Sequence, residues 1–127
     1  MLRDQNSSAI VASRDIECAK QFYTEVLGLE LANDMDGVFS VKTGATFLNV
    51  YESKEAGGNR ANAVVWDCGA DFDAVMQELR ARGVRFECYP ELGMTINDDV
   101  HVSGDFKAAW FKDPDGNILH INGMARA

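Results

Sequence analysis

The sequence predicts an α+β fold in which one strand–helix–strand unit occurs twice, with mostly antiparallel sheets and helices on one face. In the first copy, an apolar run at residues 9–12 precedes an acidic helix start at Asp15 and a glycine stop at Gly28. The second copy repeats the order, with an acidic start at Asp71 and a stop at Gly83. A long internal repeat defines the architecture, because each copy can complete its core against the other.

The first copy begins with a strand at residues 8–12 and a helix capped by Asp15. Apolar residues then recur at three- and four-residue steps as far as Leu27, which indicates one helical stripe. Gly28 is the expected C-terminal stop. Three strands follow at residues 29–32, 38–42 and 46–52.

The second copy begins after a glycine-containing connector at residues 53–62. A strand at 63–68, a helix capped by Asp71 and a strand at 84–89 are predicted. The polar stretch 91–105 is either a hairpin with a long tip or a mobile loop that could cover a binding site. The last two strands, 107–112 and 117–122, are joined by a type I turn at Asp113-Pro114-Asp115-Gly116.

Length and composition predict one soluble domain over residues 1–127, with module one at about 7–56 and module two at about 60–124. We see no apolar run near the ~20 residues that cross a bilayer and no leader, so no membrane partner and a cytoplasmic location are expected. The net charge of −8 disfavours nucleic acid, whose phosphates need clustered Lys and Arg. Three cysteines without C-x-x-C spacing disfavour disulfides and structural zinc.

Three stretches of the chain carry a resemblance to a known superfamily. Residues 15–29 are similar to its first-helix pattern DLExAxxFYxxVLGL, residues 71–84 to its second helix, and residues 111–119 to its closing hairpin FxDPDGN. On these motifs the chain resembles the glyoxalase/bleomycin-resistance/extradiol-dioxygenase superfamily, also called vicinal oxygen chelate proteins. The resemblance implies two βαβββ modules whose curved sheets form a cup. In the enzymes of that superfamily, His and Glu hold a divalent metal in the cup.

The positions that the resemblance assigns to metal ligands carry other residues here. They fall on Ser8, on Asn49, on Ala63 (or its neighbours Asn62 and Val64) and on His120. Catalytic metal sites usually supply three carboxylate, imidazole or thiolate ligands. We therefore expect no metal and no other cofactor.

Because alternate side chains of a strand lie on the same face, the other residues that line the cup can be predicted. With Asn49 facing inward, Phe47 and Tyr51 do so too, and with Ala63 inward so does Asp67. The candidate ligand-binding residues are Ser8, Phe47, Asn49, Tyr51, Asp67, Trp110 and His120. The aromatics suit a planar or cationic ligand with Asp67 as counter-charge. Alternatively, they fill a closed core and Asp67 faces solvent.

The two histidines have different expected roles. His120 contacts a ligand, acts as a general acid or base, or is a half-buried histidine with its hydrogen bonds satisfied. His101 lies in the polar stretch, and we expect it to be solvated.

Two functions remain open at this point. The first is a metal-independent protein that binds and sequesters an aromatic or cationic small molecule, as a homodimer like members of the bleomycin-resistance branch. No catalytic residue is assigned under this hypothesis. The second is a lyase, isomerase or dioxygenase that uses a divalent metal or acid/base chemistry at His120. A scaffold without small-molecule chemistry is a third, less specific alternative.

Overall fold

The computed structural model describes residues 1–124 and shows ten strands in two open sheets, with two α-helices packed against one side. The predicted α+β class is confirmed. The end of the expected single domain, residues 125–127, lies outside the described residues. Within residues 1–124, no helix has the length and apolar character needed to span a bilayer.

Two sheets organise the strands, and the helices are α1 (Ile16–Gln21) and α2 (Phe72–Ala81). The strands are β1 (Ala9–Ser13), β2 (Glu30–Met35), β3 (Val38–Thr43), β4 (Thr46–Glu52), β5 (Asn62–Asp67), β6 (Phe86–Glu87), β7 (Thr95–Asn97), β8 (Val100–Ser103), β9 (Phe106–Lys112) and β10 (Ile118–Met124). The first sheet has the order β1-β4-β3-β2 and the second β5-β10-β9-β8-β7, with β6 also paired to β9. The β1–β4 and β5–β10 pairs are parallel and the others antiparallel.

The first helix begins as predicted and ends differently. The Asp15 carboxylate accepts a hydrogen bond from the Cys18 backbone N–H at 3.1 Å, which satisfies a donor of the first turn. After Gln21 the chain continues as a π-helical turn, Phe22–Val26, in which the Leu27 N–H donates to the Phe22 carbonyl at 2.9 Å. The sequence pattern could not distinguish this wider turn from the end of an α-helix, because both bury the same stripe.

The second module departs from the simple repeat between α2 and β9. The predicted strand at 84–89 is reduced to β6, because the chain turns at a 3-10 segment, Pro90–Leu92. Residues 91–105 contain the β7–β8 hairpin, whose tip places Asp98 and Asp99 at φ of 48° and 69°. Of the two alternatives for this stretch, the hairpin is observed, but its tip has two residues and is not long, and it extends the second sheet through β9. Asp71 precedes α2, but its side chain makes no capping hydrogen bond.

The main core lies between the helices and the helix-facing side of both sheets. Alternate strand residues such as Phe39, Leu48 and Leu119 are at most 1% exposed, and they pack in one cluster with Tyr23 and Met76. Burial of these side chains supplies most of the driving force for folding. The opposite, open face of each sheet remains available for a site.

The closing hairpin of module two locks onto module one. The Tyr23 hydroxyl donates to the buried Asp113 carboxylate at 2.7 Å, and the Asn117 side-chain amide donates to the Ala12 carbonyl at 2.8 Å. Gly57 passes so close to Asp115 that a Cβ atom would lie 1.9 Å from its carbonyl oxygen. The edge strands β1 and β5 also contact each other, so the two sheets meet edge to edge.

Candidate functional site

The open face of the first sheet carries three of the predicted site residues on β4. Phe47, Asn49 and Tyr51 alternate with the buried Leu48 and Val50, and Phe47 and Tyr51 remain 45% and 41% exposed. Period-two alternation explains this, because the intervening residues pack against the helices. These aromatic rings therefore do not fill a closed core within the chain.

Asn49 and Ser8 lie on the same side of the sheet, but Asn49 is hydrogen-bonded within the sheet whereas Ser8 is exposed. The Asn49 side-chain oxygen accepts from the Ser40 hydroxyl at 2.6 Å, and its NH₂ donates to the Ala9 carbonyl at 3.5 Å. Ser8 is exposed just before β1 and lines a depression with Phe47. Asn49 thus uses its amide within the sheet.

Asp67 lies at the exposed end of β5. Its carboxylate accepts a hydrogen bond from the Gly69 N–H at 3.1 Å, which shapes the turn into α2. The carboxylate is exposed and stabilises this turn, which agrees with the alternative in which Asp67 faces solvent.

On the open face of the second sheet, an aromatic cluster surrounds Trp110. The Trp110 ring stacks on His120, with centroids 4.6 Å apart and planes 18° from parallel. Tyr89 and His101 approach the same indole edge-on, at 5.4 Å and 4.8 Å. Trp110 and His120 are 8% and 7% exposed, so this cluster forms a rigid wall of the sheet.

His120 has both ring nitrogens committed. The Asn122 NH₂ group can only donate, so His120 Nε2 accepts at 3.1 Å and Nδ1–H donates to the Ala109 carbonyl at 3.1 Å. Burial lowers the pKa of His120, which favours this neutral form. Of the three sequence interpretations, these bonds match the histidine with satisfied hydrogen bonds.

His101 is buried, and the prediction of a solvated side chain is wrong. Its Nε2 accepts the Tyr89 backbone N–H at 2.9 Å, and its Nδ1 lies 3.3 Å from the Asp99 carbonyl oxygen. The β7–β8 hairpin causes the burial, because pairing with β9 sets His101 opposite Ala108 beside Trp110. The local signal was the apolar flanking of Val100-His101-Val102 in a stretch otherwise rich in polar residues.

A depression of about 610 Å³ lies against this wall. It falls within the size range of small-molecule sites, ~300–1,000 Å³. Its lining residues are Arg60, Asn62, Tyr89, Glu91, Leu92, Trp110, Lys112 and Ile118. Of the seven residues predicted for the site, Trp110 alone lines this depression, while Asn62 was considered only as an alternative metal-ligand position.

Two smaller depressions lie elsewhere. One of about 320 Å³ follows the seam between β1 and β5. The other, about 190 Å³, lies on the helix side and is lined mainly by apolar residues, including Trp66 and Phe111. The two tryptophans of the chain therefore stand in different depressions on opposite sides of the sheet.

Comparison with known families identifies this architecture. The model of the Glyoxalase/Bleomycin resistance protein/Dioxygenase superfamily matches residues 7–121. The chain belongs to this superfamily. The resemblance drawn from the three sequence motifs is thereby confirmed.

Solved structures of the Glyoxalase/Bleomycin resistance protein/Dioxygenase superfamily share the fold at low identity. A glyoxalase/bleomycin resistance protein/dioxygenase from Alicyclobacillus acidocaldarius is 17% identical, with a TM-score of 0.72 over 95% of this chain and 92% of that one. Lactoylglutathione lyase from Agrobacterium tumefaciens is 17% identical, with a TM-score of 0.70 over 94% and 92%. A search of curated proteins returns no match. At this identity, the structures support the fold alone.

The superfamily implies a divalent metal for its enzymes, and the residues of this chain do not suit one. Asn49 uses its amide within the sheet, and His120 has no free ring nitrogen. Asn62, an alternative ligand position, accepts the Trp110 Nε1–H at 3.0 Å. No three His, Cys, Asp or Glu side chains within residues 1–124 are grouped to hold a metal. The donor set is therefore a poor one for divalent ions.

Proposed function

We propose that the protein binds an aromatic small molecule without a metal ion, in the depression between the Trp110 wall and the β5 edge. The observation that carries this proposal is the packed aromatic cluster at the wall of this depression, because two other depressions, of about 610 and 660 Å³, have a similar volume without such a cluster. Small-molecule sites combine apolar or aromatic walls with placed polar groups, and the lining of this depression contains both kinds in similar measure. Sequestration requires only such binding and no reacting group.

The rigidity of the wall supports binding over chemistry. Trp110 is held by stacking on His120 and by its hydrogen bond to Asn62. A fixed indole loses little conformational freedom when a ligand packs on it. An enzyme that transfers a proton through His120 would first have to break the bond from Asn122, which disfavours the acid/base alternative.

We also propose that the protein is a homodimer. Four large apolar side chains are 41–65% exposed on the open face of the first sheet, namely Ile10, Met35, Phe47 and Tyr51. Val65 continues this surface onto β5 and is 57% exposed. Several exposed apolar side chains on one sheet face are typical of protein interfaces, and a second copy would cover them.

Single-tryptophan variants test the binding proposal. In Trp66→Phe, Trp110 is the sole tryptophan, and in Trp110→Phe it is Trp66, so excitation that is selective for tryptophan reports on one site at a time. After dialysis against EDTA, the wild-type protein is screened by thermal shift with one- and two-ring aromatic compounds of either charge. We expect compounds that raise the melting temperature to change Trp110 emission in Trp66→Phe and to lose affinity in Trp110→Phe.

Three outcomes would contradict the proposal. In one, no compound of the screen binds. In another, the compounds that bind change Trp66 emission alone, which would place them on the helix side. In the third, elemental analysis finds a stoichiometric divalent ion whose removal abolishes binding.

A further inference from the structure

We propose that the ligand at Trp110 carries an anionic, acceptor-rich group, a carboxylate on an aromatic ring being the simplest case. This inference rests on the proposed function and specifies its ligand class. It departs from the cationic ligand considered from the sequence, because Asp67 does not line the depression.

The polar groups around the depression are mainly donors. Arg60 and Lys112 offer only N–H groups. Asn62 uses its side-chain oxygen to accept from Trp110, which leaves its NH₂ group as a donor. Glu91 is the single charged acceptor in the lining. A ligand that supplies acceptors would complete this set, whereas a cationic ligand would add further donors.

The charges of the lining residues favour an anionic ligand, as the number of donors does. The whole chain carries a net charge of −8, yet the lining contains two cations and one anion. Arg60 makes no hydrogen bond or ion pair with the described residues, so its guanidinium is free to donate two parallel hydrogen bonds to a carboxylate. Lys112 lies 3.6 Å from Glu87 in an exposed pair, and such pairs are weak enough for a ligand to compete.

Tyr89 adds a separate indication of an acceptor. Its ring lines the depression, while its hydroxyl is buried and has no hydrogen-bond partner among the described residues. A buried polar group without a partner destabilises the free protein. Because the hydroxyl itself is not exposed, a rotation of the Tyr89 side chain would have to bring it to the depression, where an acceptor on the ligand would remove that penalty.

Three ligands of one shape test the charge. We would use 2-naphthoate, 2-naphthamide and 2-naphthamidine, which share the ring system and carry negative, zero and positive charge near neutral pH. In calorimetric titrations of the wild-type protein, we expect naphthoate to bind about tenfold more tightly than the amide, and the amidine to bind most weakly. The preference should decrease as salt is raised, because charge attraction is screened.

Variants of single residues test which side chains produce the preference for naphthoate. Arg60→Gln should reduce naphthoate affinity about tenfold and leave naphthamide binding nearly unchanged. Arg3→Gln removes the same charge from the N-terminal turn, outside the lining, and should leave the order of affinities unchanged. Tyr89→Phe should weaken naphthoate about threefold, while the melting temperature of the free protein stays the same or rises.

The outcomes separate this inference from the proposed function. Tighter binding of the amidine, or an equal loss of all three ligands in Arg60→Gln, would overturn the anionic class and leave aromatic binding intact. If none of the three compounds binds and the wider aromatic screen also finds nothing, both proposals fail. Loss of naphthoate affinity in Arg3→Gln equal to that in Arg60→Gln would show a general charge effect and would overturn the assigned role of Arg60.

Discussion

Removal of one hydroxyl at the module junction should destabilise the whole domain. The Tyr23 hydroxyl is fully buried and donates to the Asp113 carboxylate at 2.7 Å, linking the first helix to the closing hairpin. Burial raises the pKa of Tyr23 well above its usual range, so the hydroxyl stays a donor at any pH of interest. In Tyr23→Phe this donor is lost while the ring remains.

The expected loss in the free energy of unfolding depends on the hydrogen bonds that Asp113 keeps in the variant. Its carboxylate still accepts from the backbone N–H groups of Asp115 and Asn117 at 3.0 Å and 2.9 Å, and from the Asn117 side chain at 2.8 Å. A hydrogen bond to a charged group contributes ~1.5–3 kcal/mol, and the three remaining bonds limit the loss to about 2 kcal/mol. For a chain of 127 residues, unfolding entropy of ~2.1 cal/mol/K per residue converts this to a fall of about 7 °C in melting temperature.

The assay is urea unfolding followed by circular dichroism, with Tyr51→Phe as the matched control. Tyr51 is 41% exposed, and its hydroxyl makes no hydrogen bond to the described residues. Its removal should change the free energy of unfolding by less than ~0.5 kcal/mol. If both variants lose the same stability, the Tyr23–Asp113 bond does not stabilise the junction and the reasoning is refuted.

Three further predictions concern the connector, the buried imidazole and the open face. Gly57→Ala should lower the free energy of unfolding by more than ~3 kcal/mol, because its Cβ would meet a carbonyl at 1.9 Å, whereas Gly37→Ala, with a similar φ of 79° and open space around it, should lose ~1 kcal/mol. Because the pKa of His120 is lowered in the folded state, the unfolded chain takes up a proton at this side chain more readily than the folded protein does. The stability that His120 contributes is therefore present above about pH 6.5 and is lost as pH falls through the folded pKa. Urea unfolding between about pH 5 and 7 should show a fall in stability toward acid that flattens in His120→Gln, and an unchanged slope would contradict this origin. Phe47→Asp should convert the proposed dimer to monomer in sedimentation experiments at micromolar concentration while its circular dichroism spectrum stays folded, and a wild-type protein that is already monomeric would refute the dimer.

Much of the fold could be predicted from sequence because the signals are local. The N-cap at Asp15, the stop at Gly28 and the turn after Asp113 each depend on a few neighbouring residues. The added hairpin at 95–103 was harder, because its tip is formed by Asp98 and Asp99 at positive φ. Aspartate tolerates that conformation, but a sequence without glycine there does not signal a tight turn.

The depression beside Trp110 was harder to predict because its walls come from distant parts of the chain. Arg60 lies in the connector, Tyr89 follows β6, and Lys112 ends β9. The β5–β10 and β6–β9 pairings bring them together, and neither register can be read from local patterns. Only Lys112 had a local signal, since it lies two residues after Trp110 on the same face of the strand.

The two copies of the repeat use the same sheet face differently, and this asymmetry bears on function. On the second sheet, aromatic and histidine side chains fill the open face and leave His120 and Trp110 less than 9% exposed. On the first sheet, Phe47 and Tyr51 stay more than 40% exposed. A duplicated module with two equal open faces would suit a ligand held symmetrically between them. Here the open face of the second sheet supplies a preformed wall, and that of the first sheet supplies exposed apolar surface. The structure therefore favours ligand binding on the second sheet and subunit contact on the first over a single site shared equally by both modules.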